Sequence, residues 1–138
     1  MTVNLQWNTG MTFTGENLNG HALITSNDRD DQGNRPGFGP MELMALSIGA
    51  CAGMDVISIL KKKRQDVTGL EIQVHSRQAE THPRVWTELR VDYLFTGRSI
   101  DPKAVERAIE LSKDKYCPTQ NMIKEAVEID YSYKIIEL

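Results

Sequence analysis

Two cysteines are the residues of this 138-residue sequence with the greatest capacity for chemistry. Cys51 lies within an apolar segment, 43–60, and Cys117 stands directly before a proline in the segment 115–118. Two thiols that meet in a folded chain can be oxidised through a sulfenic acid to a disulfide. Because 66 positions separate them, only the tertiary structure can bring them together.

The surroundings of Cys51 are unusual for an apolar segment. Ser47 and Asp55 stand four residues before and after it, so on a helix all three side chains lie on one face. Polar side chains in a row along an otherwise apolar helix indicate a role other than packing in the core. The Asp55 carboxylate would oppose ionisation of Cys51 unless a cation pairs with it, so the sequence alone does not indicate an activated Cys51.

Cys117 has a different local setting. Proline suits the first position of a helix, so Pro118 places Cys117 near an N-cap. The helix dipole and free N–H groups there favour the thiolate. The equally weighted alternative is a small buried residue at a helix junction. The residues therefore favour Cys117 as the more readily ionised thiol.

Residues 1–10 lack the basic stretch and apolar core of a signal peptide. We therefore expect a cytoplasmic protein. In that reducing compartment a cysteine pair is more often catalytic or redox-sensing than a structural crosslink. His21, His75 and His82 have no ligand spacing among themselves, and we expect neither a metal site nor a cofactor.

Charge and hydropathy exclude two classes of binding partner. The net charge is −3 and the pI about 5.6, with no basic patch between aromatic residues, so we expect no nucleic-acid partner. The basic run 61–64 suits the end of a helix. The apolar segment approaches the length of a membrane span but contains Ser47, Asp55 and Ser58, so we expect a buried helix and no membrane association.

Hydrophobic periodicity predicts one α+β domain over residues 1–138. Apolar and polar residues alternate, as in half-buried strands, over 70–75, 85–95 and 127–135, and more weakly over 3–7, 11–13 and 22–24. Helices are predicted over 42–64, from the capping pair Asp101-Pro102 to 116, and over 118–126. The glycine- and proline-containing segment 26–39 reads as a loop.

The long helix predicts self-association because it is apolar almost all round. One sheet covers one face, and leaving roughly five large side chains in water would forgo on the order of 10 kcal/mol, at about 1.5–3 kcal/mol each. That is comparable to the stability of a whole domain, about 5–15 kcal/mol. We therefore expect a homodimer whose long helices pack together, with Gly49 and Gly53 allowing close approach.

The segments 40–43 and 47–51, followed by the second cysteine in 115–118, resemble the OsmC/Ohr family of osmotically inducible and organic-hydroperoxide-resistance proteins. The resemblance covers nearly the whole chain. It implies an intertwined α+β homodimer, with antiparallel sheets around a long apolar helix and active sites at the subunit interface.

The resemblance also implies the chemistry of a thiol-dependent peroxidase. Cys51 would be the peroxidatic cysteine that attacks an organic hydroperoxide, and Cys117 would resolve the sulfenic acid as a disulfide. An external dithiol would then reduce that disulfide. The helix-terminus argument makes Cys117 the readier thiolate, so the two lines of reasoning disagree, and we follow the resemblance on the roles.

Two departures from the family pattern indicate a divergent branch. Peroxidase members carry a glutamate directly after the proline, where this chain has Met41. Glu42 comes one residue later, roughly opposite Cys51 on the helix. Peroxidase members also use an arginine from the N-terminal strands, for which Arg35 is the candidate here.

Two functions are alternatives to the peroxidase: a non-catalytic dimer that binds an apolar small molecule, and a thiol redox sensor.

Overall fold

The structure is a computed structural model that describes all 138 residues. Its elements in chain order are β1 (Val3–Thr9), β2 (Thr12–Asn17), β3 (Ala22–Ser26), α1 (Pro40–Lys62), β4 (Asp66–Gln78), β5 (Trp86–Arg98), α2 (Pro102–Leu111), a π-helical segment (Ser112–Tyr116), α3 (Pro118–Ile123) and β6 (Ile129–Glu137). The chain forms two compact units, Met1–Met44 and Ala45–Leu138. The α+β class is confirmed, and the single domain stays a prediction.

The first unit contains an antiparallel sheet in the order β1-β2-β3. All three weak strand predictions near the start of the chain are confirmed. Every residue of β1 is exposed, including apolar Leu5 and Trp7. The loop after β3 returns to the sheet at Phe38, whose carbonyl accepts a hydrogen bond from the Thr25 hydroxyl at 2.9 Å.

The second unit contains a sheet in the order β4-β5-β6. Strands β4 and β5 form an antiparallel pair, whereas β6 runs parallel to β5, from Leu89↔Ile129 to Gly97↔Glu137. The expectation of purely antiparallel sheets is therefore wrong for this sheet. Between β5 and β6 the chain crosses back through helices, and such a crossover returns the next strand in the same direction.

Helix α1 buries one stripe at four-residue spacing: Ile48, Ala52, Val56 and Leu60. Its two glycines lie against β4. A Cβ atom on Gly53 would come within 2.9 Å of Ile72 Cδ1, and one on Gly49 within 3.2 Å of Val74 Cγ2. The expectation that these glycines admit a second helix is therefore wrong, because β4 of the same chain occupies that space.

Much of the remaining surface of α1 is exposed, as expected for a helix covered on one face. Leu46 is 56% and Met54 73% exposed. The length of α1 and a mean hydropathy of 1.9 also meet the compositional test for a membrane span, which core helices of soluble proteins pass as well. The uncovered apolar side chains leave a surface on which another apolar surface can pack.

Candidate active site

Cys51 occupies the middle of α1, with Asp55 one turn later. Their four-residue spacing places both side chains on the same helix face, as the sequence predicts. Cys51 is half-buried. Its thiol is therefore the more accessible of the two sulfurs.

Cys117 is positioned by an irregular connection between two helices. Its backbone N–H donates to the Ser112 carbonyl at 2.9 Å, which is the five-residue bond of a π-helix. Cys117 itself is extended and forms the N-cap of α3, with Pro118 at the first helical position. Its Sγ accepts from the Gln120 N–H at 3.5 Å. The predicted N-cap is confirmed, and Cys117 is fully buried.

The fold brings the two cysteines and one carboxylate together. The Sγ atoms of Cys51 and Cys117 and a carboxylate oxygen of Asp55 all lie within 4.8 Å of one another. We call these three residues the dithiol–carboxylate cluster. Asp55 forms no ion pair, and its Oδ2 accepts a hydrogen bond from the Ser112 hydroxyl at 3.0 Å.

A chain of hydrogen bonds extends from the cluster into the core. The Gln120 side chain donates through Nε2 to Ser112 Oγ at 3.2 Å, and the Tyr131 hydroxyl donates to Gln120 Oε1 at 2.7 Å. Ser112 and Gln120 are both fully buried. This chain fixes the orientation of Ser112 and hence of the Asp55 carboxylate.

Sequence reasoning missed this supporting chain. Ser112 lies four residues after the buried Ala108 in the helix predicted to run to 116, so the periodicity indicates only that it faces the core. Gln120 carries a local signal, because it lies three residues after the N-cap, where its backbone N–H meets the capping side chain. Tyr131 reaches the site only through the crossover to β6, for which the sequence offered no sign.

The environments of the two thiols move their pKa values in opposite directions. Burial raises the pKa of Cys51, and the neighbouring Cys117 raises it further. Burial also opposes ionisation of Cys117, but hydrogen bonds from Cys51, Thr119 and Gln120 outweigh it and lower its pKa. The Thr119 hydroxyl lies 3.1 Å from Cys117 Sγ. Cys117 is thus the first of the pair to ionise, in agreement with the argument from the helix terminus.

A buried phenol lies within reach of the cluster's charge. Tyr93 is 2% exposed, and its hydroxyl has no hydrogen-bond partner. Burial, followed by the charges of Tyr131, Cys117 and Asp55, raises its pKa. Tyr93 therefore stays protonated and offers an unused O–H donor.

Glu42 and Arg35 meet each other at the start of α1. Glu42 Oε1 accepts from the Gly39 N–H at 2.8 Å and from Arg35 Nη1 at 2.9 Å. Gly39 precedes Pro40, the first residue of α1, so Glu42 caps the helix from its third position. The hydrogen bond from Gly39 lowers the pKa of Glu42; burial opposes this in part, and the hydrogen bond and charge of Arg35 lower the pKa further. A role for either residue toward Cys51 stays a prediction.

Fold and site together define an α+β protein that holds a pair of reduced cysteines next to a carboxylate. A model of the OsmC-like protein family matches residues 30–132. The chain belongs to the OsmC-like family, and the resemblance inferred from its cysteine segments is confirmed.

Individual relatives cover nearly the whole chain. Protein YhfA of Escherichia coli K12 is 36% identical over 136 residues, covering 99% of this chain and 98% of YhfA. The crystal structure of a hypothetical protein from Aquifex aeolicus VF5 is 31% identical with a TM-score of 0.88, covering 99% of this chain and 96% of that one. The organic hydroperoxide resistance protein OhrB of Bacillus subtilis is 15% identical with a TM-score of 0.66, covering 97% and 98%, and shares the fold.

Proposed function

We propose that this protein is a thiol-dependent peroxidase that reduces organic hydroperoxides in defence against oxidative stress. The observation that carries the proposal is the meeting of Cys51 and Cys117 sulfurs within 4.8 Å. One of them is half-buried and the other fully buried. An accessible sulfur that reacts first and a buried sulfur that reacts second suit the two steps of such a reaction.

The reacting form of the pair holds a single proton: Cys117, which ionises first, is the thiolate, and Cys51 donates its S–H toward it. As the Cys51 sulfur attacks the hydroperoxide, the O–O bond breaks and the Cys51 proton passes to Cys117. Cys117 then protonates the departing alkoxide. Cys51 is left as the sulfenic acid, the alcohol is released, and Cys117 is again a thiolate.

Resolution follows from that thiolate. Cys117 attacks the sulfur of the Cys51 sulfenic acid, and the hydroxide leaves as water with one proton from solvent. Overall, two thiols and one hydroperoxide give a disulfide, an alcohol and water. An external dithiol reduces the disulfide by thiol–disulfide exchange. The low pKa of Cys117 suits this second step, because the thiolate is the nucleophile.

We also propose that the protein acts as a homodimer. Leu46 and Met54 on α1 leave a large apolar surface exposed in a single chain, and a second copy would cover it.

Within the first unit, β1–β3 and the start of α1 form a cleft of about 380 Å³. The apolar residues that line this cleft include Val3, Leu5, Leu23 and Leu43.

The peroxidase proposal is tested by mixing reduced, metal-free protein with cumene hydroperoxide and counting free thiols. We expect two thiols to be lost per hydroperoxide, with one alcohol formed. Cys51→Ser is expected to abolish peroxide consumption. Cys117→Ser removes both the base for the first step and the resolving sulfur, so it is expected to form a sulfenic acid on Cys51, which dimedone traps, more slowly than the wild type, and to form no disulfide.

Three outcomes would count against this assignment. Survival of both thiols in excess peroxide would exclude the activity. Peroxide consumption by Cys51→Ser at the wild-type rate would exclude Cys51 as the attacking sulfur. A sulfenic acid that dimedone labels on Cys117 in the Cys51→Ser variant would transfer the first step to Cys117. Asp114→Asn removes a charge from an exposed position of the π-helical segment and serves as the matched control.

A second candidate is a non-catalytic dimer that binds an apolar small molecule. The cleft of the first unit favours it, because apolar walls of this kind suit a hydrophobic ligand. It predicts a ligand retained in native mass spectrometry in both the wild-type protein and Cys51→Ser. A thiol redox sensor would form the disulfide without sustained turnover in the presence of a reducing dithiol.

A further inference from the structure

We propose that the reduced chain binds one zinc ion through the dithiol–carboxylate cluster, with Cys51, Cys117 and Asp55 as its ligands. This is a binding function beyond the proposed peroxidase, although it uses the same two sulfurs. The sequence predicts no metal site, because its three histidines have no ligand spacing among themselves. In the structure the third ligand is a carboxylate one helical turn from Cys51.

The geometry of the cluster suits zinc. In a tetrahedral site with Zn–S of about 2.3 Å and Zn–O of about 2.0–2.2 Å, neighbouring ligand atoms lie about 3.5–3.8 Å apart. The three ligand atoms here lie within 4.8 Å of one another. Adjustments of about 1 Å or less, within the reach of side-chain rotation, would bring them to zinc-binding distances.

The charges of the cluster also favour a cation. Two thiols that ionise lie beside the Asp55 carboxylate, and Asp55 forms no ion pair. A thiolate that reacts with peroxide is usually stabilised by a nearby positive charge. Here the neighbouring group is a carboxylate within 4.8 Å of both sulfurs, which complements a divalent metal. Thiolate ligands select zinc and other soft metals over magnesium or calcium.

The residues around the ligands are arranged as an outer shell. Ser112 donates its hydroxyl hydrogen to Asp55 Oδ2, and Cys117 Sγ accepts from the Gln120 N–H. Such hydrogen bonds orient metal ligands and tune their basicity. Both bonds hold the ligand atoms in place within the protein.

A fourth coordination position remains for water. Cys51 and Asp55 are only half-buried, which leaves access from solvent. Three protein ligands and one water form the open type of zinc site.

Metal binding and oxidation exclude each other at this site. Zinc binding to the two thiols releases up to two protons. Oxidation of the zinc-bound dithiolate by a hydroperoxide takes up two protons and gives the disulfide, an alcohol, water and free Zn²⁺. The disulfide cannot hold the metal, because thiolates are the ligands.

The test is a titration of reduced, metal-free protein with Zn²⁺ in competition with a chromophoric chelator. We expect one zinc per chain and a thiolate-to-metal absorption band when Co²⁺ replaces Zn²⁺. Cys51→Ser and Cys117→Ser are each expected to abolish that binding, and Asp55→Asn to weaken it by at least about 10-fold. Ser112→Ala, which removes an outer-shell bond, is expected to weaken it by about 10-fold. Adding peroxide to the zinc-bound protein should release the metal.

The control is Asp114→Asn, which removes one negative charge from the same region without touching the cluster and should bind zinc like the wild type. Undiminished binding to the double serine variant would place the metal outside the cluster and overturn the proposal. Equal affinities of Asp55→Asn and the wild type would overturn the three-ligand site. A measurement without variants is also decisive: Zn²⁺ should slow alkylation of Cys51, and an unchanged rate contradicts the site. The peroxidase test uses metal-free protein, so either proposal can fail alone.

Discussion

At the scale of single residues, the two sulfurs have opposite properties. Cys51 is the accessible thiol, but burial and its neighbour raise its pKa. Cys117 is buried, but hydrogen bonds around it lower its pKa. The proposed mechanism uses both, since the proton of Cys51 moves to Cys117 during the attack. A pair that shares one proton in this way needs no arginine beside Cys51 to begin the reaction.

This arrangement predicts the titration of the metal-free dithiol. We expect the first thiolate to form below the ordinary thiol pKa of 9.0. Thiolate formation is measured by ultraviolet absorbance as the pH rises, after subtraction of the absorbance of the double serine variant. Because the lowered pKa belongs to Cys117, Cys117→Ser should lose this step and leave Cys51 titrating above 9.0. Thr119→Val should move the first step to higher pH, since it removes one hydrogen bond to the sulfur. A first step that remains in Cys117→Ser would contradict the assignment.

The capping position of Cys117 was predictable because it depends only on the following proline. The meeting of Cys51 with Asp55 on one face was predictable for the same local reason. The approach of Cys117 to them was not, because hydrophobic periodicity treats 101–116 as one regular helix. The extra residue of the π-helical segment leaves that periodicity nearly unchanged, yet it determines where Cys117 lies.

At the scale of elements, the position of Glu42 at the start of α1 explains the contacts that its carboxylate makes. The sequence places this glutamate one residue away from the family position and roughly opposite Cys51. In the structure it caps α1 through the Gly39 N–H and pairs with Arg35. A one-residue shift thus gives the carboxylate a contact at the helix terminus. The capping box was detectable in principle, but a glycine at the N-cap lacks the hydroxyl or carboxylate by which such motifs are usually recognised.

Glu42→Gln keeps an oxygen that can accept from the Gly39 N–H but removes the charge. It is expected to lower the free energy of unfolding by about 0.3–1 kcal/mol at pH 7, the usual effect of a carboxylate at a helix N-terminus. The folded-state pKa of Glu42 lies below its ordinary value of 4.5. Its charge therefore stabilises the fold above that pH, and the contribution is lost as the pH falls through the folded-state pKa. Urea denaturation at pH 7 and pH 3 measures both effects. Glu80→Gln, in the exposed turn between β4 and β5, should show neither effect, and an equal loss at both pH values would contradict the charge argument.

At the scale of the whole molecule, the exposed face of α1 is the main evidence for self-association. The expectation of a homodimer rested on the area that one sheet cannot cover, and the exposure of Leu46 and Met54 agrees with that reasoning. The prediction that Gly49 and Gly53 allow close approach of a second α1 was wrong, because both glycines lie against β4 of the same chain. Sequence periodicity identifies how much of a helix is apolar, but it does not identify which element covers each side.

We expect Leu46→Glu combined with Met54→Glu to convert a dimer into monomers in light scattering after size-exclusion chromatography. Each charge would lie on an apolar surface that the dimer removes from water, where an unpaired carboxylate is strongly unfavourable. Val85→Glu, in the turn before β5, makes the same change at a position that is 57% exposed and should leave the dimer intact. A wild-type protein that elutes as a monomer at all concentrations would refute the prediction.

The π-helical segment makes the chemistry of this chain sensitive to length as well as to composition. The bond from the Cys117 N–H to the Ser112 carbonyl spans five residues, one more than a regular helix allows. Loss of a single codon between them would let the turn close as an ordinary helix and rotate the sulfur by about 100°. Cys117 is fully buried, so this rotation would move its sulfur away from Cys51. A change of one residue between positions 112 and 117 is therefore expected to separate the two sulfurs of this chain.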